Sequence, residues 1–373
     1  MMKTIHKQVL LILLAAGTCV LRAAADEKPR KPLYPDADIR ELRSARAAYL
    51  AGDYGNALKS AESAKIERKK LISWQLYTLQ NSLKSSEVKK AGNSLSLMMP
   101  IMEKRQEYDA IDIIKRYEIK MTPGYFADSA EQLTGFIQKR NSFPEADWII
   151  GDVYRCEGEY VQAKDYLLSA WNNAFLLNVP EEQYDILYSL ADIAGIENDT
   201  EGYETDLLLI LADDKFFKNS ILNDAMLLTI RNQKAGAMEK FFTYFRSEDY
   251  RSIAAYFKLA DFYTASSPDK ALKACALGVL TGFTKMYETV MLRDSEYEYT
   301  GLSSLLREIT RYPDILDWAD KNDIWNGFID FAGKTAAEGD STFARDLYTA
   351  LAADAPDQYF REQAARALKK TAQ

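Results

Sequence analysis

Residues 151–170 read GDVYRCEGEYVQAKDYLLSA. Gly151 and Tyr154 stand three apart, and then Ala163, Leu167 and Ala170 recur every three or four residues. That is the spacing of one apolar helix face, written twice with Gly158-Glu159 as punctuation between the runs. The small residues fall where two antiparallel helices would touch, because axes approach closely only over Gly or Ala. The stretch therefore predicts a helical hairpin whose residues are chosen for packing, not a catalytic loop.

Three further segments carry the same arrangement. Ala45, Ala48, Gly52-Asp53-Tyr54, Ala57, Ala61 and Ala64 form one. Leu259, Phe262, Ala271, Cys275 and Gly278 form another, and Ala332, Gly339-Asp340, Ala344, Tyr348 and Pro356 the last. With Ile150-Gly151-x-x-Tyr154, Gly158-Glu159-Tyr160, Ala163, Leu167 and Ala170, these segments resemble the tetratricopeptide repeat, a 34-residue helix-turn-helix unit. Trp148 lies one place late for that family's tryptophan, and no proline closes the unit. The resemblance implies an α-solenoid of stacked helix pairs over 37–373, with some repeats degenerate. Ala57, Ala163, Ala271 and Ala344 lie near multiples of the repeat length, so divergent helix pairs are expected to fill the gaps between them.

The rest of the chain agrees with an all-α fold. Helical periodicity is expected over 41–51, 54–66, 126–140, 145–157, 160–174, 253–265, 269–283, 325–338 and 341–354. No segment alternates with period two for long enough to need a sheet. Pro123-Gly124, Phe143-Pro144, Val179-Pro180, Ser267-Pro268 and Ala355-Pro356 fall between these runs, where proline is tolerated. Pro100, inside SLMMPIMEK, predicts a kink or break near residue 99.

The first 25 residues read as a secretory signal peptide: a basic start, the apolar run VLLILLAAGTCVL (9–21) and a small-residue processing site ending at Ala25. Cys19 is a candidate lipid-attachment residue, although Ala16 and Thr18 depart from the usual box. DEKPRKPLYPD (26–36), with three prolines, is expected to be a disordered tether. The chain is therefore expected to be exported and periplasmic, or envelope-attached if Cys19 is lipidated.

The formal charge is −8, and removal of 1–25 takes away Lys3, Lys7 and Arg22 but no carboxylate, leaving −11. An acidic chain lacks the basic footprint that nucleic-acid binding needs. His6, in the leader, is the sole histidine, which removes Ser-His-Asp chemistry and His-containing zinc sites. Cys156 and Cys275 are too few for a disulfide framework and are read as buried free thiols.

Three motifs tempt a functional reading. GFIDFAGKT (327–335) has five residues between its glycines where a phosphate loop has four, and it lies within a helical run. ENDTEGYETD (197–206) does not place its oxygens in a calcium-loop register. Asp213-Asp214 is one of the carboxylate pairs expected by chance among 55 acidic residues. No catalytic residue, cofactor or metal site is nominated.

By the family resemblance, partner segments bind the inner curve lined by the first helix of each unit. Aligning the units places Arg46, Tyr49, Trp148, Asp152, Arg155, Tyr256 and Tyr263 there, and aromatic and Arg side chains are the usual interface anchors. The expectation is a non-catalytic scaffold or adaptor for other envelope proteins or peptides. It would meet a membrane only peripherally or through a lipid anchor. The alternatives are an accessory subunit of a solute-uptake system, holding a small ligand or a transporter's binding protein, and, remotely, an envelope-polymer hydrolase.

Overall fold

A computed structural model of the chain describes residues 28–83, 88–120, 122–218 and 251–371. The leader and Cys19 lie outside the described residues. Every regular element among those described is helical, and no strand occurs among them. The helices pack in adjacent pairs, an all-α, solenoid-like arrangement. The chain divides into two compact units, Met1–Glu182 and Gln183–Gln373.

In the first unit the helices are α1 (Ala37–Leu50), α2 (Tyr54–Leu83), α3 (Val88–Lys104), α4 (Tyr108–Lys120), α5 (Pro123–Lys139), α6 (Pro144–Glu157) and α7 (Tyr160–Asn172). The hairpin α1/α2 stacks directly on the hairpin α6/α7, with α6 packed against both α1 and α2. Ala57, Ala61 and Ala64 of α2 share a core with Leu42 and Ala45 of α1 and with Ala146, Ile149, Ile150 and Val153 of α6.

The helix α2 is 30 residues long, twice what one hairpin needs. Its second half supplies Ile72 and Leu79 to a separate core with Leu95, Met98, Met102, Ile114, Leu133 and Ile137 from α3, α4 and α5. Those three helices are thus a side bundle inserted between two hairpins that touch each other. This corrects the expectation that stacked divergent repeats fill the distance from Ala57 to Ala163. The long apolar face of α2 gives the inserted helices something to bury against, so they need not enter the stack.

The second unit repeats the plan. The helices α8 (Glu182–Ile196, its first residue in the first unit), α9 (Thr200–Leu211) and the short α10 (Lys215–Lys218) precede the hairpin of α11 (Ser252–Tyr263) and α12 (Pro268–Arg293). Then come α13 (Leu302–Ile309), α14 (Pro313–Lys321), α15 (Ile324–Ala337), α16 (Ser341–Asp354) and α17 (Gln358–Thr371). The helix α12 is again long, at 26 residues. It packs on α15 of the following hairpin, while α13 and α14 are set aside between them.

One turn recurs. Gly52, Gly158 and Gly339 end α1, α6 and α15 in the left-handed region, with φ of 73°, 84° and 94°. After each, the next N–H bonds to the carbonyl five residues back: Asp53 to Ala48, Glu159 to Tyr154 and Asp340 to Thr335. The same bonds close the turns at Gln106 (φ 58°) and Asn198 (φ 59°), where Glu107 reaches Met102 and Asp199 reaches Ala194. In all five an acidic residue follows. Asp53, Asp199 and Asp340 accept the N–H three residues on and so start the next helix. The ENDTEGYETD carboxylate Asp199 is spent as this cap.

Proline placement follows the sequence reading: Pro123, Pro144 and Pro268 each sit in a first helical turn, as does Pro313, which that reading did not name. Pro100 is the exception, since α3 runs through it to Lys104 without the break expected near residue 99. Met98 and Met102 on either side of it are fully buried. Their packing outweighs the backbone hydrogen bond that proline cannot make.

Candidate functional site

The stacking of α1 on α6 decides which predicted site residues meet. Trp148, Asp152 and Arg155 share one face of α6 by their spacing of four and three. Trp148 and Asp152 lie against Tyr49 of α1, and Arg46 stands one turn before Tyr49 on that helix. The Tyr49 ring is 5.8 Å from that of Trp148 and 6.1 Å from that of Tyr54. Its hydroxyl donates to Asp152. Arg155 holds the same carboxylate with Nε 2.6 Å from Oδ1 and an Nη 3.2 Å from Oδ2. Arg46 reaches Glu182, at 2.7 and 2.8 Å from its two oxygens.

Asp152 is only 1% exposed, so its charge is spent inside the cluster. Burial, and then the Asp152 carboxylate, push the Tyr49 phenol above its ordinary range, which keeps it a protonated donor. Trp148 Nε1 and Arg46 Nε are buried and have no acceptor among the described residues. Each such orphan typically costs about 1–3 kcal/mol. What the cluster presents outward is the partly exposed rings and guanidinium heads, held by carboxylates behind them.

Tyr256 and Tyr263 belong to the second unit and have other duties. Tyr256, fully buried on α11, donates to Asp214 at 2.7 Å. Asp214 also accepts from Ser252 and from the N–H groups of Phe216 and Phe217. Tyr263 donates to Glu204 and is likewise buried. Both tyrosines pack between helices rather than offering a free ring. The pair Asp213-Asp214 is accordingly a structural knot, with Asp213 bound to Lys218.

Cysteine placement differs from the sequence reading at one position. Cys275 is buried, and burial pushes its thiol up. Cys156 is exposed, because the last turn of α6 carries it past the hairpin contact. Its hydrogen bond raises the Tyr54 phenol.

Sequence reasoning missed the largest charge cluster. Arg105 grips Asp38 with two parallel bonds of 2.6 and 2.9 Å and Glu107 with a third of 2.8 Å. Arg68 adds a bond to Asp38 at 2.9 Å and stacks on Phe143, and Arg140 reaches Glu107. Burial pushes Asp38 up, but the Arg105 and Arg68 guanidiniums outweigh it and hold the carboxyl below its usual range. The adjoining pocket is about 10 Å³, room for no more than a water. This network joins α1 and α2 to α3, α4 and α5.

The second unit also encloses an apolar cavity of about 60 Å³ beside Phe283, Tyr299, Phe328 and Phe343. No known family profile matches the chain. A protein of Treponema pallidum (strain Nichols) is 27% identical over 336 residues, spanning 88% of this chain and 89% of its own. One of Borreliella burgdorferi (strain ATCC 35210) is 24% identical over 231 residues, 55% of this chain and 69% of its own. Both are described only as uncharacterized proteins. No described helix is long and apolar enough to cross a membrane.

Proposed function

We propose that this chain is a non-catalytic, tetratricopeptide-like scaffold of the cell envelope, exported by its leader and binding a partner segment over α1 and α6. The observation that carries this reading is the meeting of Tyr49 with Trp148 and with the Asp152–Arg155 pair, from the first helices of two hairpins in direct contact. Aromatic and Arg side chains held rigid in the free protein lose little entropy when a partner arrives. The sealed Asp152 and protonated Tyr49 suit a fixed recognition surface better than proton transfer.

The solute-uptake reading has one observation in its favour, the aromatic-lined cavity. At about 60 Å³ it is far below the roughly 300–1,000 Å³ of pockets that enclose small-molecule ligands, and the larger cleft of about 650 Å³ between residues 29–37 and 66–73 is open to solvent and rimmed by exposed charged side chains. The scaffold is therefore the better-supported function.

The test is capture from envelope extract on residues 26–373, followed by affinity measurement with the purified partner. Trp148→Ala with Arg155→Glu should weaken that partner at least about thirtyfold, since anchor residues contribute about 2 kcal/mol or more. A folded double variant that binds every partner as the parent does would end this reading.

A further inference from the structure

A second exposed surface lies where the chain enters α1, along the side of α2. The segment 28–36 runs beside α2, and together they line a cleft of about 650 Å³. Leu33 is 91% exposed, Tyr34 61% and Ile66 55%, three large apolar groups beside one cleft, with the Arg40 guanidinium over one face of the Tyr34 ring. Around them stand Arg30, Lys31 and Lys69, all exposed. Lys31 lies over the Trp74 ring at 5.8 Å, and Lys70 is bound to Glu67. Arg30 and Lys69 have no carboxylate partner among the described residues.

The charge here runs against that of the chain. Of the residues lining the cleft, Arg30, Lys31, Lys69 and Lys70 are cationic and Glu67 is anionic, in a protein whose formal charge is −8. Isolated exposed apolar side chains need no explanation, but a cluster of them rimmed by cations does. An amphipathic surface of this make-up fits the boundary between headgroups and acyl chains of an anionic bilayer, apolar groups inward and cations against phosphate.

We infer that residues 28–34 and the neighbouring face of α2 form a docking surface for an anionic phospholipid bilayer. The surface is independent of the partner-binding cluster on α1 and α6.

The experiment is flotation of residues 26–373, which contain every described residue, with phosphatidylcholine vesicles with and without phosphatidylglycerol. The protein should float with the anionic vesicles only, and lose them at high salt as the charges are screened. Arg30→Ala with Lys69→Ala should weaken partitioning about thirtyfold, each cation near the surface contributing a factor of about five. Leu33→Ser should weaken it as well. Lys369→Ala with Lys370→Ala, exposed cations at the end of α17, should leave it unchanged. Equal flotation with neutral vesicles, no flotation at low salt, or equal loss in both lysine-bearing pairs would overturn the inference. Capture by immobilised polyglutamate without vesicle binding would overturn it in favour of an acidic protein partner. All substituted side chains are exposed, so circular dichroism should match the parent in every variant.

Discussion

The phenyl ring of Phe257 points its tip at Gly327: a Cβ added at Gly327 would stand 2.6 Å from the ring's Cε1 and 3.1 Å from Cε2, with Cζ nearer still. The same ring covers Gly278, where a Cβ would come 2.7 Å from Cε1 and 3.1 Å from Tyr256 Cβ. Phe257 of α11 thus wedges between α12 and α15, each of which yields a glycine to it. The first glycine of GFIDFAGKT is there for this contact. Gly327→Ala should cost about 1–3 kcal/mol by overpacking, despite alanine's advantage of about 1 kcal/mol in a helix. Phe257→Leu in the same chain should recover part of that loss, and denaturant unfolding of the four variants reads the coupling.

The turns predict opposite signs at different positions. Gly158→Ala should destabilise by about 1–2 kcal/mol, because a Cβ is penalised in the left-handed region. Gln106→Gly and Asn198→Gly, at positions that already bear a side chain there, should be neutral or stabilising. Thermal unfolding of the three single variants checks this, and a loss at Gln106→Gly comparable with that at Gly158→Ala would contradict the shared geometry.

Removing Asp38 should be among the most damaging single changes. Asp38→Ala leaves the buried Arg105 and Arg68 guanidiniums without their shared carboxylate, at an expected cost of about 3–5 kcal/mol. Replacing the exposed Asp53, also a carboxylate lowered by hydrogen bonding, should cost far less, since it is an ordinary helix cap at the surface. Urea unfolding, followed by circular dichroism, separates the two.

The same network gives a pH dependence of fixed sign. Asp38 titrates below its unfolded value of about 3.9. The unfolded chain therefore takes up the proton first as pH falls. The stabilisation from this group is complete above the unfolded value and is lost as pH drops through the folded one. Unfolding midpoints measured on either side of about pH 4 should fall more steeply for the parent than for Asp38→Asn.

Much of this was legible because packing is written in residue size. The buried alanines 57, 163, 271 and 344 mark helix contacts where only small residues fit, and the three turn glycines mark the left-handed residue that ends a first helix. The turns at Gln106 and Asn198 were not legible as repeats, since the left-handed residue there is not glycine. Their one shared mark is the acidic residue that follows, a weak signal in an acidic chain. Stacking order was hidden for a different reason. Periodicity reports that a helix has an apolar face, and α2 has one long enough for two sets of neighbours. Of the predicted partner residues, the five on α1 and α6 came together because those helices are the first of adjacent hairpins. Tyr256 and Tyr263 were placed by the same register, but carboxylates from α9 and the α9–α10 turn, Glu204 and Asp214, claim their hydroxyls. Nothing local in the sequence announces such long-range claims.

The unequal burial of the two thiols has a practical use. A maleimide dye or nitroxide offered to residues 26–373 would meet one accessible sulfur, at the end of α6 and one turn from Asp152. Cys275, enclosed and held as the neutral thiol, would be passed over. The molecule can therefore carry a single reporter beside α1 and α6, where the proposed partner would register as a change in emission or spin mobility, with no cysteine added or removed from residues 26–373.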